Sequence, residues 1–236
     1  MAGSRTQMSD LPQLSPATRI VDTVQDTLRD AILGGSLRAG EPLSVPELAR
    51  RLNVSRSPVR EAVLGLVAQG LAVEQPRRGV VVATIAADDL VAIHEVREFL
   101  EAGAARLCAR RIDKAGADRL RGILAEQQRA VKDKDPAGYF RTNSDLHGVI
   151  AAAAGNARLE QMLRTLENQM RIALHRVASN EGHMRSGYDE HRRVVEAIAG
   201  GDDDAADRAM RAHIANTIGR LREARGFLSP SSDNSR

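Results

Sequence analysis

Apolar residues in the first third of the chain recur with a helical period that is broken at short intervals. Ile20, Val24, Leu28 and Ile32 fall four apart until Gly34-Gly35, and Ser15-Pro16 ahead of them supplies a cap and a first-turn proline. This pattern predicts a first helix. Ser44-x-x-Glu47 reads as a capping box opening a second helix with Leu48 and Leu52 inward, and Asn53-Val54 makes a turn. A third helix begins at Ser55 or Ser57, places Val59, Val63, Leu66 and Val67 on its inner side, and stops at Gly70. The period then changes. Residues 71–75 and 79–83 read as two strands joined by Pro76-Arg77-Arg78.

From Ala86 onward strands disappear and apolar residues keep helical spacing to about Phe227. Six helices are expected near 88–112, 114–133, 136–154, 157–180, 187–199 and 202–225, with breaks at Asp135-Pro136, Gly155-Asn156, Glu181-Gly182 and Gly200-Gly201. The expected fold is mainly α: an N-terminal winged helix-turn-helix over 15–85, then an all-helical bundle of about six helices over 86–227. Residues 1–14 and 228–236 are polar and without period, and read as a disordered arm and tail. No repeat of solenoid length is present.

Composition narrows the function classes. With 236 residues and 42% apolar content the chain can hold one large domain, or one small and one medium domain each with its own core. Its formal net charge is only +3, so affinity for nucleic acid requires a local patch. Such a patch exists: between Glu47 and Val82 six arginines (50, 51, 56, 60, 77, 78) face three glutamates (47, 61, 74). Cys108 is the single cysteine and forms no internal disulfide, which fits a reducing compartment. The N-terminus lacks an apolar signal core, and no apolar run approaches the roughly 18 residues of a spanning helix. A soluble, cytoplasmic protein without membrane association is expected.

The strongest chemical signal lies in the third helix. Ser55, Arg56 and Ser57 at its start and Arg60 one turn on offer guanidinium and hydroxyl donors where helix-turn-helix proteins meet base edges and phosphates. Arg77, Arg78 and Gly79 give the hairpin a basic tip. Helix-turn-helix shapes also occur inside enzymes as packing units, and arginine-rich faces are often only solvated. The absence of acidic residues between Glu47 and Glu61 weighs toward double-stranded DNA. One recognition helix covers few base pairs, so a homodimer on a near-palindromic operator is expected.

In the helical region, Asn143 and His147 are four apart and share a helix face, whereas Asp145 does not. His191 and His213 lie on consecutive helices about Gly200-Gly201 and can face each other. Three imidazoles and an amide oxygen would suit a divalent transition metal with an open position; ordinary core histidines are the plainer reading. Arg97 with Glu101, and Asn168, Arg171 and His175 on a later helix, can line the same cavity, where an arginine would pair with an organic acid. Surface positions or intersubunit ion pairs are the alternative.

The region from Ile20 through Val82 closely resembles the GntR family of bacterial transcription regulators. The resemblance rests on the run from Ile32 to Gly40, on Leu48-Ala49, on Val54-Ser55-Arg56-Ser57-Pro58-Val59-Arg60-Glu61-Ala62, on Gly70-Leu71 and on Arg78-Gly79. It implies that Arg56 and Arg60 contact bases or phosphates, that Ser55 and Ser57 hold phosphates, and that Gly79 lets the wing enter the minor groove. Pro46 stands where some relatives carry a further DNA-contacting arginine; Arg50 or Arg51 can substitute. Residues 88–222 resemble the FCD ligand-binding domain of the FadR-type branch. That likeness is carried by Asn143-x-x-x-His147, Ala154-Gly155-Asn156-x-x-Leu159, Glu190-His191, Ala197-Ile198-x-x-Gly201-Asp202 and His213. It implies a zinc or nickel ion that helps hold a small carboxylate effector, with Asn143 where many relatives have aspartate.

Three functions compete at this point. The first is a ligand-responsive regulator, a repressor by expectation, in which effector binding repositions the DNA-reading heads. The second is a constitutive DNA-binding protein whose bundle only dimerises. The third is a metal-dependent hydrolase or oxidase, against which stands the absence of a carboxylate placed as general base, since Asn143 cannot act as one. The expected answer is a regulator and not an enzyme.

Overall fold

The computed structural model describes residues 18–174 and 181–228. The arm 1–14, the Ser15-Pro16 cap, the end of the 157–180 helix including His175, and the tail beyond Leu228 lie outside the described residues. The N-terminal head contains α1 (Thr18–Leu33), α2 (Val45–Leu52), α3 (Arg56–Ala68), β1 (Ala72–Gln75) and β2 (Gly79–Val82). The bundle contains α4 (Ala87–Arg111), α5 (Lys114–Lys132), α6 (Pro136–Ala153), α7 (Ala157–Leu174), α8 (Glu181–Ala199) and α9 (Asp203–Leu228). The fold is mainly α, with one small sheet among the described residues. Among the described residues no helix is long and apolar enough to cross a membrane.

The head closes around the apolar stripes that the spacing marks. Val24, Leu28 and Ile32 of α1 pack on Val59, Ala62, Val63 and Leu66 of α3, while Ile20 at the open end stays 55% exposed. Asn53 ends α2 in the left-handed conformation, φ 53, returning its N–H toward the Ala49 and Arg50 carbonyls, and Ser55 begins α3. β1 and β2 pair antiparallel with Ala72 opposite Val82 and Gln75 opposite Gly79. The turn is tight enough to need φ +73 at Gly79, a conformation that glycine takes without strain. The expected capping box does not form. Ser44 makes no side-chain cap bond, because Glu47 turns forward onto Arg50, at 2.8 and 3.1 Å.

In the bundle, α4 and α9 run antiparallel, with Arg106 and Arg110 of α4 bonded to Asp204 and Asp203 at the start of α9. Leu120, Leu146, Ile150, Val194, Ile198, Met210 and Ile214 fill its core. α8 begins at Glu181, which corrects the break expected at Glu181-Gly182 and the start at 187. The stretch before 187 is polar, so its period is weak, yet tertiary contacts carry the helix. Met184 is buried against Tyr139, and Gly187 leaves room for the Tyr139 hydroxyl, which a Cβ there would meet at 2.1 Å. α7 lies between the two regions. Leu163 joins the bundle core and Ile172 the core of the head.

Candidate DNA-binding face and histidine pocket

The cations marked in the sequence are exposed on the surface of the head. Ser55, Arg56, Ser57 and Arg60 are exposed at the N-terminal half of α3, and Arg77, Arg78 and Gly79 are exposed at the hairpin tip. Arg56, Arg60 and Arg77 make no hydrogen bond or ion pair among the described residues. Their guanidinium groups are free for an external anion. Arg50 is exposed but engaged by Glu47, so it is the least available of the group. A hypothetical Cβ on Gly79 would meet nothing within 4 Å, which leaves the wing backbone open to close approach.

The second constellation is buried. His147 on α6, His191 on α8 and His213 on α9 are 7%, 0% and 5% exposed, and one ring nitrogen from each lies within 4.8 Å of the others. Each ring is fixed from behind. His147 Nδ1 bonds Glu101, His191 Nδ1 bonds Gln127 Oε1 at 2.8 Å, and His213 Nδ1 bonds Glu190 Oε2 at 2.8 Å. These acceptors place a proton on Nδ1 of each ring, so that in the neutral His191 and His213 the lone pair lies on Nε2. Glu190 is itself held by Arg220, at 2.9 and 3.0 Å, and by Asn216 at 3.0 Å. Glu101 is held by Arg97.

Electrostatics keep two of the rings, His191 and His213, ready to donate lone pairs. Burial drives His191 well below its ordinary 6.5, and the neighbouring His213 and His147 add to the fall. Burial also lowers His213, partly offset by its bond to Glu190. Burial alone would raise both carboxyls, yet His213 and Arg220 bring Glu190 down to about 2. Likewise Arg97 and His147 hold Glu101 far below the carboxylate range.

A metal fits this donor set. Neutral His191 and His213 with protons on Nδ1 turn two lone pairs toward each other, Nε2 to Nε2 3.2 Å. Two nitrogens each about 2.0–2.1 Å from a tetrahedral ion stand about 3.3 Å apart, so the spacing of this pair fits a shared cation, which would relieve the repulsion between the lone pairs. Gln127 Nε2 is buried with no partner among the described residues, a donor left for an incoming oxygen.

The sequence-marked residues separate into those brought together and those not. His147, His191 and His213 converge, and Asn143 lies one turn before His147 on α6, half-buried. Asp145 is exposed, as its angular position requires. Arg97 and Glu101 adjoin the pocket as an ion pair. Asn168 instead donates to the Gln69 carbonyl at 3.2 Å, Arg171 is exposed, and His175 lies outside the described residues. Sequence reasoning gave no place to Gln127 or Glu190. Glu190, Asn216 and Arg220 had a weak signal, since Asn216 and Arg220 follow His213 at helical spacing.

Comparison with known proteins agrees with both regions. Residues 20–82 match the bacterial regulatory proteins of the gntR family, and residues 92–216 match the FCD domain. The chain is 30% identical to a probable D-xylose utilization operon transcriptional repressor of Paenarthrobacter nicotinovorans, across 84% of this chain and 87% of that protein. It is 27% identical to the HTH-type transcriptional repressor RspR of Escherichia coli, across 90% and 93%. The solved structure of Escherichia coli McbR/YncC shares the fold, with TM-score 0.73 at 22% identity over 90% of this chain and 100% of that one. Exposed cations on a winged helix-turn-helix, joined to an FCD bundle, therefore make this chain a member of the GntR family, a DNA-binding transcriptional regulator and not an enzyme.

Proposed function

We propose that the protein is a ligand-responsive repressor acting in the cytoplasm, in which residues 15–85 read DNA and residues 86–227 bind effector and dimerise. Arg50, Ser55, Arg56, Ser57, Arg60, Arg77, Arg78 and Gly79 contact a near-palindromic operator, one half-site per protomer of a homodimer. Repression is supported by two relatives that align with most of this chain, both named as transcriptional repressors.

The pocket holds a divalent transition metal, zinc or nickel, through His147, His191 and His213, with Asn143 supplying a neutral fourth oxygen. The bound ion supplies a Lewis-acid position that accepts a carboxylate oxygen of a small organic acid. The chain's own residues do the rest. Glu101, Gln127 and Glu190 orient the three rings, and Gln127 Nε2 offers a donor to a second effector oxygen. Arg97 already has Glu101 as a partner, so an effector carboxylate reaches it only by sharing that pair.

The observation that carries this reading is the set of three buried imidazoles, each tied at Nδ1, with one ring nitrogen of each within 4.8 Å of the others. Elemental mass spectrometry on untagged protein purified without chelator tests it, beside His191→Ala. Near-stoichiometric zinc or nickel that disappears in the variant is the expected result. Absence of metal from both, after dialysis against zinc, would overturn the metal reading.

A further inference from the structure

Adjacent residues of α7 face opposite regions of the molecule. Glu167 and Met170 close over Arg97, whose Nη2 stands 3.7 Å from Glu167 Oε2 and whose Nη1 touches the Met170 sulfur. One position along, Asn168 Nδ2 donates to the main-chain carbonyl of Gln69, the residue that caps the C-terminal end of α3. Gly70 follows with φ +70, and its side is so close to α7 that a Cβ would lie 3.0 Å from Thr165 Cγ2 and 3.2 Å from Gln169 Nε2. Two residues beyond Met170, Ile172 is buried in the head's own core.

The carbonyls at a helix C-terminus have no partner within the helix. Here one of them is satisfied by a side chain from the bundle, so the orientation of the recognition helix is set partly from outside its domain. The path from that bond to the pocket is short and continuous. His147 bonds Glu101, Glu101 pairs with Arg97, and Arg97 packs on Glu167 and Met170, beside Asn168. Every side chain on this path from Arg97 to His147 is buried, so a shift at one end has no slack to absorb it. Arg56 lies at the far end of α3, about 18 Å from Ala68 at about 1.5 Å per residue, which amplifies any tilt at Gln69.

We propose that Asn168 is a positioning residue for DNA reading and that α7 transmits the state of the histidine pocket to the recognition helix through it. The coupling half of this inference rests on the metal reading above. The bond to Gln69 does not.

The test uses the full chain and a duplex selected by the wild-type protein from a randomised library. DNA dissociation constants are measured with and without zinc for wild type, Asn168→Ala and Asn168→Asp, while zinc content is measured separately. Asn168→Asp keeps the side-chain shape and replaces the donor with an acceptor, so it serves where the alanine variant packs poorly. Zinc is expected to change the wild-type constant by at least about fivefold, a typical coupling between sites. In both variants zinc still binds but changes the constant less than about twofold. A variant that keeps the wild-type zinc response overturns the proposal, as does a wild type that binds zinc without any response. If no zinc binds, the metal reading alone fails, and amide exchange at Gln69, Gly70 and Leu71 decides the rest. Faster exchange with weaker DNA binding in both variants, at unchanged melting temperature, supports the positioning role; unchanged exchange and affinity overturn it.

Discussion

The two polar constellations of this molecule are built on opposite terms. On the head, Arg56, Arg60 and Arg77 stand exposed with no internal partner among the described residues. In the bundle, Arg97, Glu101, His147, Glu190, His191 and His213 are all buried, and each is bonded to another polar side chain. A solvated guanidinium costs nothing to leave free, and phosphate later supplies its partner. A buried charge has no such freedom and must be matched within the fold. The face that reads DNA is therefore adaptable and salt-sensitive, whereas the pocket is preorganised and sensitive to any change that removes one partner.

The largest effect that can break this contrast is metal binding. Zinc at about a thousand times its dissociation constant should stabilise the wild type by about 4 kcal/mol, and should leave His191→Ala unmoved. Thermal unfolding across a zinc titration measures both. A wild type that zinc does not stabilise would mean that the histidines form a closed network with no role for an ion.

Next in size is the response of the bundle to acid. Burial, with the Arg97 charge beside it, lowers the His94 imidazole from 6.5 to about 4. The folded chain therefore refuses a proton that the unfolded chain accepts below about pH 6.5. Stability present above that pH is lost as pH falls toward 4, by about 3 kcal/mol at about 1.4 kcal/mol per pH unit. Denaturant unfolding of wild type and His94→Leu at pH 7 and pH 5 checks this. The variant should show the shallower pH dependence; equal slopes would place the acid sensitivity elsewhere.

On the exposed face the expected changes are smaller and act on binding instead of folding. Arg60→Ala should weaken DNA binding by about 1–3 kcal/mol and leave the melting temperature unchanged. Loss of preference at one base pair would mark a base contact. Uniform weakening, with a salt slope lower by about one, would mark a phosphate contact. Fluorescence anisotropy at several salt concentrations separates them.

The same contrast explains what the sequence could disclose. The head is built from near neighbours, so Leu28, Ile32, Val59, Val63 and Leu66 announce their helices by spacing, and the cations of α3 announce their face. Three of the four α1 stripe residues are buried, and Ile20 alone is not, because it lies near the start of α1, where none of the described residues covers it. The histidines were legible because Asn143 and His147 share a face and because Gly200-Gly201 folds α8 back on α9. Gln127 was not legible. It lies 64 positions from His191, and an amide among Gln-rich helix-formers carries no local mark. Asn168 was misleading for a related reason. Spacing puts it near Arg171 on α7 but cannot say that this face of the helix meets the head, which depends on how two separately patterned regions dock.

The smallest expected effect tests where local pattern and structure disagree. Ser44 and Glu47 have the spacing of a capping box, and in that arrangement Ser44→Ala would cost about 1 kcal/mol. In the structure Ser44 caps nothing, and Glu47 is drawn to Arg50 and Arg51 across the next turn. The substitution should therefore cost no more than a few tenths of a kcal/mol, read from the denaturant midpoint. A cost near 1 kcal/mol would mean that Glu47 turns back to the helix start in solution and releases Arg50. The exposed face would then carry one more free cation toward DNA. Such a result would sharpen the contrast with the pocket, because surface pairs are exchanged for water at little cost whereas Arg97 and Glu101 are buried and are not.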